Sequence, residues 1–237
     1  PTTGFWSPMN LAGTDMVKVR DYEYDNGGVG DSNLTKLTDH PGGAADRVTQ
    51  LWQDWRNRTV AVKSGVETSE ATSVNRPLAY LDHNNLGEVT KTRFYDADGV
   101  TPTVTGGVPQ PLSASLLRGQ STASFDEWGR AYRSDVYSVD PVTGAVSTNT
   151  LHSDTWFDNR GYAIKMASPG GLVDKETYDG AGFNTASYLT DGGGDANYSD
   201  AGNVTGDVVL EQSEPTFDNN GNVIATTSRQ RFHDATG

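Results

Sequence analysis

Cysteine is absent from the 237 residues, so disulfides and thiolate metal sites are excluded and the redox compartment leaves no mark. Apolar residues are scarce, 34% against about 45–50% in ordinary globular domains. No apolar run approaches the roughly 20 residues of a membrane span, so membrane insertion is not expected. Basic charge is the minority sign. Against 31 acidic residues stand 18 Lys and Arg, and the resulting net charge of −13 is spread along the chain. Such a surface repels phosphate backbones, and no nucleic-acid partner is expected. Sustained helical periodicity is also missing outside Ala44 to Arg56, where Ala44, Val48, Leu51, Trp52 and Trp55 recur at helical spacing. Strand is favoured even there, because Trp52 to Val62 aligns with the repeat described next.

What the chain has in quantity is glycine, 27 residues, and aromatics, with 10 Tyr, 7 Phe and 5 Trp. That is too much aromatic surface for a chain that buries nothing. A unit recurs: an aromatic, Asp, two variable residues and Gly, then a short β-prone stretch. It stands as Phe125-Asp126-Glu127-Trp128-Gly129, Phe157-Asp158-Asn159-Arg160-Gly161, Tyr178-Asp179-Gly180-Ala181-Gly182 and Phe217-Asp218-Asn219-Asn220-Gly221. A looser copy is Tyr198-Ser199-Asp200-Ala201-Gly202, and Phe232-His233-Asp234 begins another. From Phe157 the aromatics advance to Tyr178, Tyr198 and Phe217 in steps of 21, 20 and 19 residues. A fixed period of this length signals a repeat architecture.

Worn copies precede these at Tyr24-Asp25, at Trp52 to Arg58, and at Tyr80-Leu81-Asp82 leading to Leu86-Gly87-Glu88. Tyr95-Asp96-Ala97-Asp98-Gly99 opens a proline-containing excursion over 97–120. Residues 1–50 read as an irregular or degenerate repeat region and 51–237 as the hairpin array. The start at Pro1 without a signal peptide, and the incomplete last motif, suggest a section of a longer polypeptide.

In Asp-x-x-Gly the carboxylate can accept a backbone N–H two residues on, nucleating a type I turn. The glycine then takes the left-handed conformation that rejoins a strand through a bulge. Strands are expected over 132–139, 145–156, 162–167, 172–177, 183–190, 208–214 and 222–231. One two-stranded repeat cannot bury its own apolar face, so the aromatic before each turn is expected to cover a neighbouring hairpin. The fold class expected is all-β: tandem β-hairpins forming a coiled, solenoid-like or shell-like antiparallel sheet.

These motifs resemble the YD or RHS repeats of bacterial surface and toxin-carrying proteins and of animal teneurins. The match is carried by Phe125-Asp126 with Gly129-Arg130, Phe157-Asp158 with Gly161, Tyr178-Asp179 with Gly182, and Phe217 to Val223, and it extends over Trp52 to Gly237. The resemblance implies a hairpin ribbon wound into a spiral that encloses cargo or meets partner cells. Members that carry cargo end the repeats in a self-cleaving Arg/Tyr-Asp-Pro-Gly segment; here only Asp140-Pro141 in mid-chain matches part of it, and the interval from Tyr95 to Phe125 interrupts the period.

The expected function is therefore an extracellular, secreted or cell-surface scaffold without catalysis, a shell wall or fibre for assembly, adhesion or cargo enclosure. Its partners would be neighbouring repeats of the same longer chain, further copies, glycans or a cell-surface protein. A carbohydrate- or partner-binding module is the first alternative, with Trp128 as the aromatic to stack on a sugar, because it fills a variable turn position where no core residue is required. A polysaccharide-cleaving β-solenoid enzyme is the second. It would need paired carboxylates on one cleft, and the nearest pairs, Asp126 with Glu127 and Asp174 with Glu176, fall in a turn or alternate on a strand. No cofactor is expected. Calcium is suggested only by Gly27-Gly28-Val29-Gly30-Asp31 and by Asp96-x-Asp98-Gly99, neither of which completes a calcium motif. The histidines, His40, His83, His152 and His233, lack metal spacing.

Overall fold

A computed structural model describes residues 17–25, 32–41, 46–66, 76–100, 102–106, 108–194 and 197–235. Among them there is no α-helix, only three short 3-10 turns. The strands are β1 (Arg20–Tyr24), β2 (Leu34–Asp39), β3 (Arg47–Gln53), β4 (Thr59–Val66), β5 (Pro77–His83), β6 (Val89–Asp96), β7 (Val104–Thr105) and β8 (Val108–Pro109). They continue as β9 (Leu117–Phe125), β10 (Ala131–Val139), β11 (Val146–Phe157), β12 (Ala163–Ala167), β13 (Val173–Tyr178), β14 (Asn184–Thr190), β15 (Val209–Phe217) and β16 (Val223–Gln230). Fourteen of them form one sheet in chain order, with β7 and β8 as a separate hairpin. The all-β fold of tandem hairpins is thus the observed one, and the sheet is not closed into a barrel. Arg47 to Gln53 is strand, as the repeat alignment expects against the helical spacing; Ala44 lies outside the described residues.

The chain divides into two compact units, residues 1–120 with 138–147 and residues 121–137 with 148–237. Each solves the shortage of apolar residues in the same way: one long connection folds back over a face of its own sheet. In the first unit, register sets Trp52 against Ala61 and Ala61 against Tyr80, so period-two alternation collects these side chains on one face. Ala61, Leu78, Tyr80, Tyr95, Ala97 and Leu117 are buried there, with Trp52, Leu112, Leu116 and Val139 packed against them. Tyr80 and Tyr95 meet edge to face at 5.8 Å. Leu112 and Leu116 belong to the connection after β6, the excursion read from the prolines; it holds β7 and β8, and β9 begins at Leu117. Tyr80 donates its hydroxyl to the Gln110 carbonyl, and burial pushes its pKa up to about 12, which keeps it a donor. Buried Lys63 donates to the Val100 carbonyl at 2.5 Å. Both bonds tie the connection to the sheet.

The second unit does this with the connection between β14 and β15. Ala201 is fully buried there beside a face that contributes Val173, Lys175, Ala186 and Thr190. Across that face one row runs Trp156, Lys165, Lys175, Tyr188 and Gln212. Two buried lysines stand directly opposite each other in it, an arrangement that like-charge repulsion disfavours. Lys165 lies 4.9 Å from the centre of the Trp156 ring. Lys175 donates to the Asn203 carbonyl at 2.7 Å and the Asp200 carboxylate at 3.2 Å, and it forms an ion pair with Asp207 at 2.8 Å. Burial alone would lower the Lys175 pKa, but the Asp207 and Asp200 carboxylates beside it win and raise it. An ammonium therefore holds this connection down.

Candidate functional site

The recurring motif builds one turn geometry wherever it joins two strands. In the turn 158–162, the Asp158 N–H donates to the Tyr162 carbonyl (2.9 Å) and the Gly161 N–H to the Asp158 carbonyl (3.0 Å). The Asp158 Oδ1 accepts the N–H of Arg160 and of Tyr162, each at 2.9 Å. The carboxylate thus satisfies donors two and four residues on. The same pairs of bonds appear at Asp126, Asp179 and Asp218. Gly129, Gly161, Gly182 and Gly221 all have φ between 76° and 95°, the left-handed region where a side chain is strained. A register shift precedes each of Phe157, Tyr178 and Phe217, which is the bulge the motif implies.

Two earlier turns have this geometry with altered residues. Asp54 accepts the N–H of Arg56 and Arg58, and Asn57 takes the left-handed place of glycine at φ 60°. In the next turn Asn84 replaces the aspartate, accepting from Leu86 and Glu88. The sequence alignment set Asp82 at this position. Instead Asp82 sits on β5 and pairs with Arg93 at 2.6 Å, because the glycine three residues after Asn84 dictates where the turn closes.

Successive turns touch. The residue after each glycine lies on the aromatic of the following turn: Arg130 on Phe157 at 4.4 Å, Tyr162 on Tyr178 at 4.7 Å and 20°, Phe183 on Phe217 at 5.0 Å and 38°. It also covers the following glycine. A Cβ on Gly221 would stand 2.7 Å from the Phe183 ring, and one on Gly182 would strike the Tyr162 hydroxyl. Glycine is required there for space as well as for φ. Arginines add bonds along the same line, Arg130 to the Asp158 carbonyl at 3.4 Å and Arg160 to the Asp179 carbonyl at 2.5 Å.

Tyr198-Ser199-Asp200-Ala201-Gly202, expected as a looser copy, does not form such a turn. Tyr198–Asp200 is a 3-10 turn inside the connection between β14 and β15, and Gly202 is not left-handed. Asp200 bonds Lys175. The Tyr198 hydroxyl instead reaches back 41 residues to the Phe157 carbonyl, at 2.6 Å. The near-20 spacing there is set by a long connection, so Tyr178 and Phe217 belong to adjacent turns.

Tyr198 thereby closes one side of a cleft of about 430 Å³ lined by Asp126, Glu127, Trp128, Arg130, Phe157, Asp158, Asn159 and Tyr198. Trp128 is 59% exposed. Arg130 lies between its ring, at 4.5 Å, and that of Phe157, and pairs with Asp126 at 2.7 Å. Burial alone would raise the Asp126 and Asp158 pKa values, but the N–H groups and the arginine of each turn overcome it and hold both below the usual carboxylate range. Asp54 behaves likewise, while at Asp218 the Asn222 side chain is the leading cause of the lowering. These four carboxylates start from 3.8 and are lower when folded, so their contribution is complete above that value and is lost as pH falls through the folded pKa. These four carboxylates add no slope to the urea midpoint from about pH 5 to 7, and midpoints should fall below about pH 4. Asp158→Asn, which mimics Asn84, should blunt that fall, and midpoints unchanged down to about pH 2 would contradict the assignment.

Among the other expected positions, Asp174 and Glu176 lie on β13, with Glu176 accepting from Ser187 at 2.7 Å. Asp96 meets Arg118, and Asp98 accepts the Arg76 N–H. Gly27 to Asp31 lie outside the described residues. His40 bridges Asp21 and Asp46. Among the described residues no cluster of three or more His, Asp or Glu could hold a metal.

No family model and no curated protein matches the chain. Solved structures do. The chain is similar over 89% of its length to a part of TcdB2-TccC3-TEV, at 10% identity and a TM-score of 0.42. It is similar over 84% to TcdB2-TccC3, at 9% identity and 0.31, and to the same extent to a Tc holotoxin pore of Photorhabdus luminescens, at 10% identity and 0.31. It spans 10%, 14% and 13% of those chains.

Proposed function

We infer that this chain is a section of an extracellular scaffold built of YD-type hairpin repeats, a wall or fibre element whose partners are neighbouring repeats of the same longer polypeptide or further copies. One observation carries the reading: each motif turn is completed by the next, through a side chain that lies on the following aromatic and glycine. A hairpin made this way has no finished surface until another is added, and that suits a wall better than a solitary domain. β16 is exposed along its whole length and, among the described residues, pairs only with β15. An exposed strand of this kind is a template for a further strand. The reading assigns the chain no catalysis.

Size-exclusion chromatography with light scattering on the purified chain tests it. Association should grow with concentration, and Ile224→Lys with Thr226→Lys on β16 should abolish it. Incubation with neutral and acidic polysaccharides should release no reducing ends. A chain that stays monomeric at every concentration, or that releases reducing ends, would overturn the proposal.

A further inference from the structure

We propose that Lys175 and Asp207 condense in the folded chain to an isopeptide bond, a covalent staple between β13 and the connection that precedes β15, with Asp200 carrying a proton during the step. This site stands independently of the scaffold reading.

The first ground is how the two side chains meet. Both are buried, and the Lys175 Nζ stands 2.8 Å from the Asp207 Oδ2. Yet neither Asp207 oxygen accepts a hydrogen bond among the described residues. The three N–H donors of an ammonium have other acceptors here: the Asp200 carbonyl at 3.3 Å, the Asp200 carboxylate at 3.2 Å and the Asn203 carbonyl at 2.7 Å. The nitrogen therefore rests against the carboxyl group off the hydrogen-bond direction, which is where an attacking nucleophile has to be. The carboxyl group is itself fixed. Its N–H closes a turn on the Val204 carbonyl at 3.2 Å, and the backbone of Gly193 comes so close that a Cβ there would stand 2.8 Å from the Oδ1. Holding both groups in this way turns a collision into a unimolecular step.

The second ground is charge. Lys165 faces Lys175 directly across the sheet and is equally buried, and a second cation opposite favours loss of a proton from Nζ. Condensation replaces a buried ammonium and a buried carboxylate with one neutral amide, which removes the desolvation cost of both. The step balances without a co-reactant. Nζ passes one proton to Asp200, bonds to the Asp207 Cγ, and loses a second proton to the departing oxygen; Asp200 returns the first proton to that same oxygen, the C–O bond breaks, and water leaves. The amide nitrogen keeps one hydrogen. Asp200 is 19% exposed, so it connects the buried pair with solvent. The freshly folded chain holds the ion pair and the amide accumulates afterwards, because the two carboxylates stabilise the proton that Nζ must first give up. In a chain without cysteine such a bond restricts the unfolded state as a disulfide would.

Intact mass spectrometry of the purified chain, followed through prolonged incubation at neutral pH, tests this. A form lighter by one water should accumulate. Ring closure at an Asp-Gly pair such as Asp179-Gly180 loses the same mass, so digestion after glutamate locates the bond. The cut after Glu176 separates the two residues, and peptides 128–176 and 177–211 should be recovered joined. Lys175→Met should yield no joined peptides, and Asp200→Asn should slow their appearance by roughly a hundredfold. Circular dichroism on each variant separates a lost reaction from a lost fold, and the peptides of the unaltered chain remain decisive should Lys175→Met unfold. A mass that never changes, or a loss of water without joined peptides, would overturn the proposal. Joined peptides that form at an unaltered rate in Asp200→Asn would overturn the part given to Asp200.

Discussion

Replacing Lys175 with methionine is expected to cost the second unit about 3–5 kcal/mol, the usual penalty for removing one member of a buried ion pair. The side chains of Lys175 and Asp207 are 1% and 0% exposed. Methionine fills much of the lysine volume, so packing is nearly preserved. What is lost is the only cation that the structure places against Asp207 among the described residues, together with the bonds to the Asn203 and Asp200 oxygens. A buried carboxylate is then left without compensation. Urea unfolding measures the loss. Hydrogen exchange locates it, with faster exchange expected first at β13, β14 and the connection that follows. Adding Asp207→Leu should recover a substantial part, because an apolar pair replaces a broken ionic one. A cost under about 1 kcal/mol would mean that the ammonium does not hold the connection.

Gly144→Ala should cost the first unit about 2–4 kcal/mol, from a left-handed backbone and an overlap that no side-chain rotation relieves. Gly144 is buried at φ 71°, and a Cβ there would fall on the Ala114 carbonyl. That carbonyl opens the 3-10 turn Ala114–Leu116 just ahead of Leu117, so relief must come from moving the backbone that delivers Leu116 and Leu117 to the core. Gly65 is the control. Its φ of 73° is nearly the same, yet a Cβ there meets nothing within 4 Å, so Gly65→Ala should show the backbone cost alone, about 1–2 kcal/mol. Equal urea midpoints for the two variants would remove the close approach from the account.

Local chemistry explains which features were legible beforehand. The strands from Tyr132 to Arg231 could be read because Asp-x-x-Gly, Asp140 to Gly144 and Pro169-Gly170-Gly171 punctuate them, and each of these turns is closed by bonds among a few consecutive residues. Substituted turns were harder. Asn84 does the work of aspartate because an amide oxygen accepts the same two N–H groups, and Asn57 tolerates a left-handed backbone. Neither preserves the letters of the motif. Tyr198 misled for the opposite reason, keeping the letters and the spacing while its backbone forms a 3-10 turn. The pairing of Lys175 with Asp207 and the bond of Tyr198 to Phe157 span 32 and 41 residues. Period-two alternation only indicates that Lys175 faces inward with Val173; it carries no information about what covers it. Of the cleft, Trp128 was legible from its variable position, while Glu127, Asn159 and Tyr198 came together only through the fold.

Stacking between consecutive motif turns supports everything else, and a double-mutant cycle on Phe183 and Phe217 measures it most directly. Alanine at each position and at both should reveal a coupling of about 0.5–1.5 kcal/mol, as for rings in contact. The same cycle on Tyr198 and Phe217, whose spacing of 19 residues suggests neighbouring repeats, should give none. Additive effects at Phe183 and Phe217, or coupling of equal size in both cycles, would contradict the account.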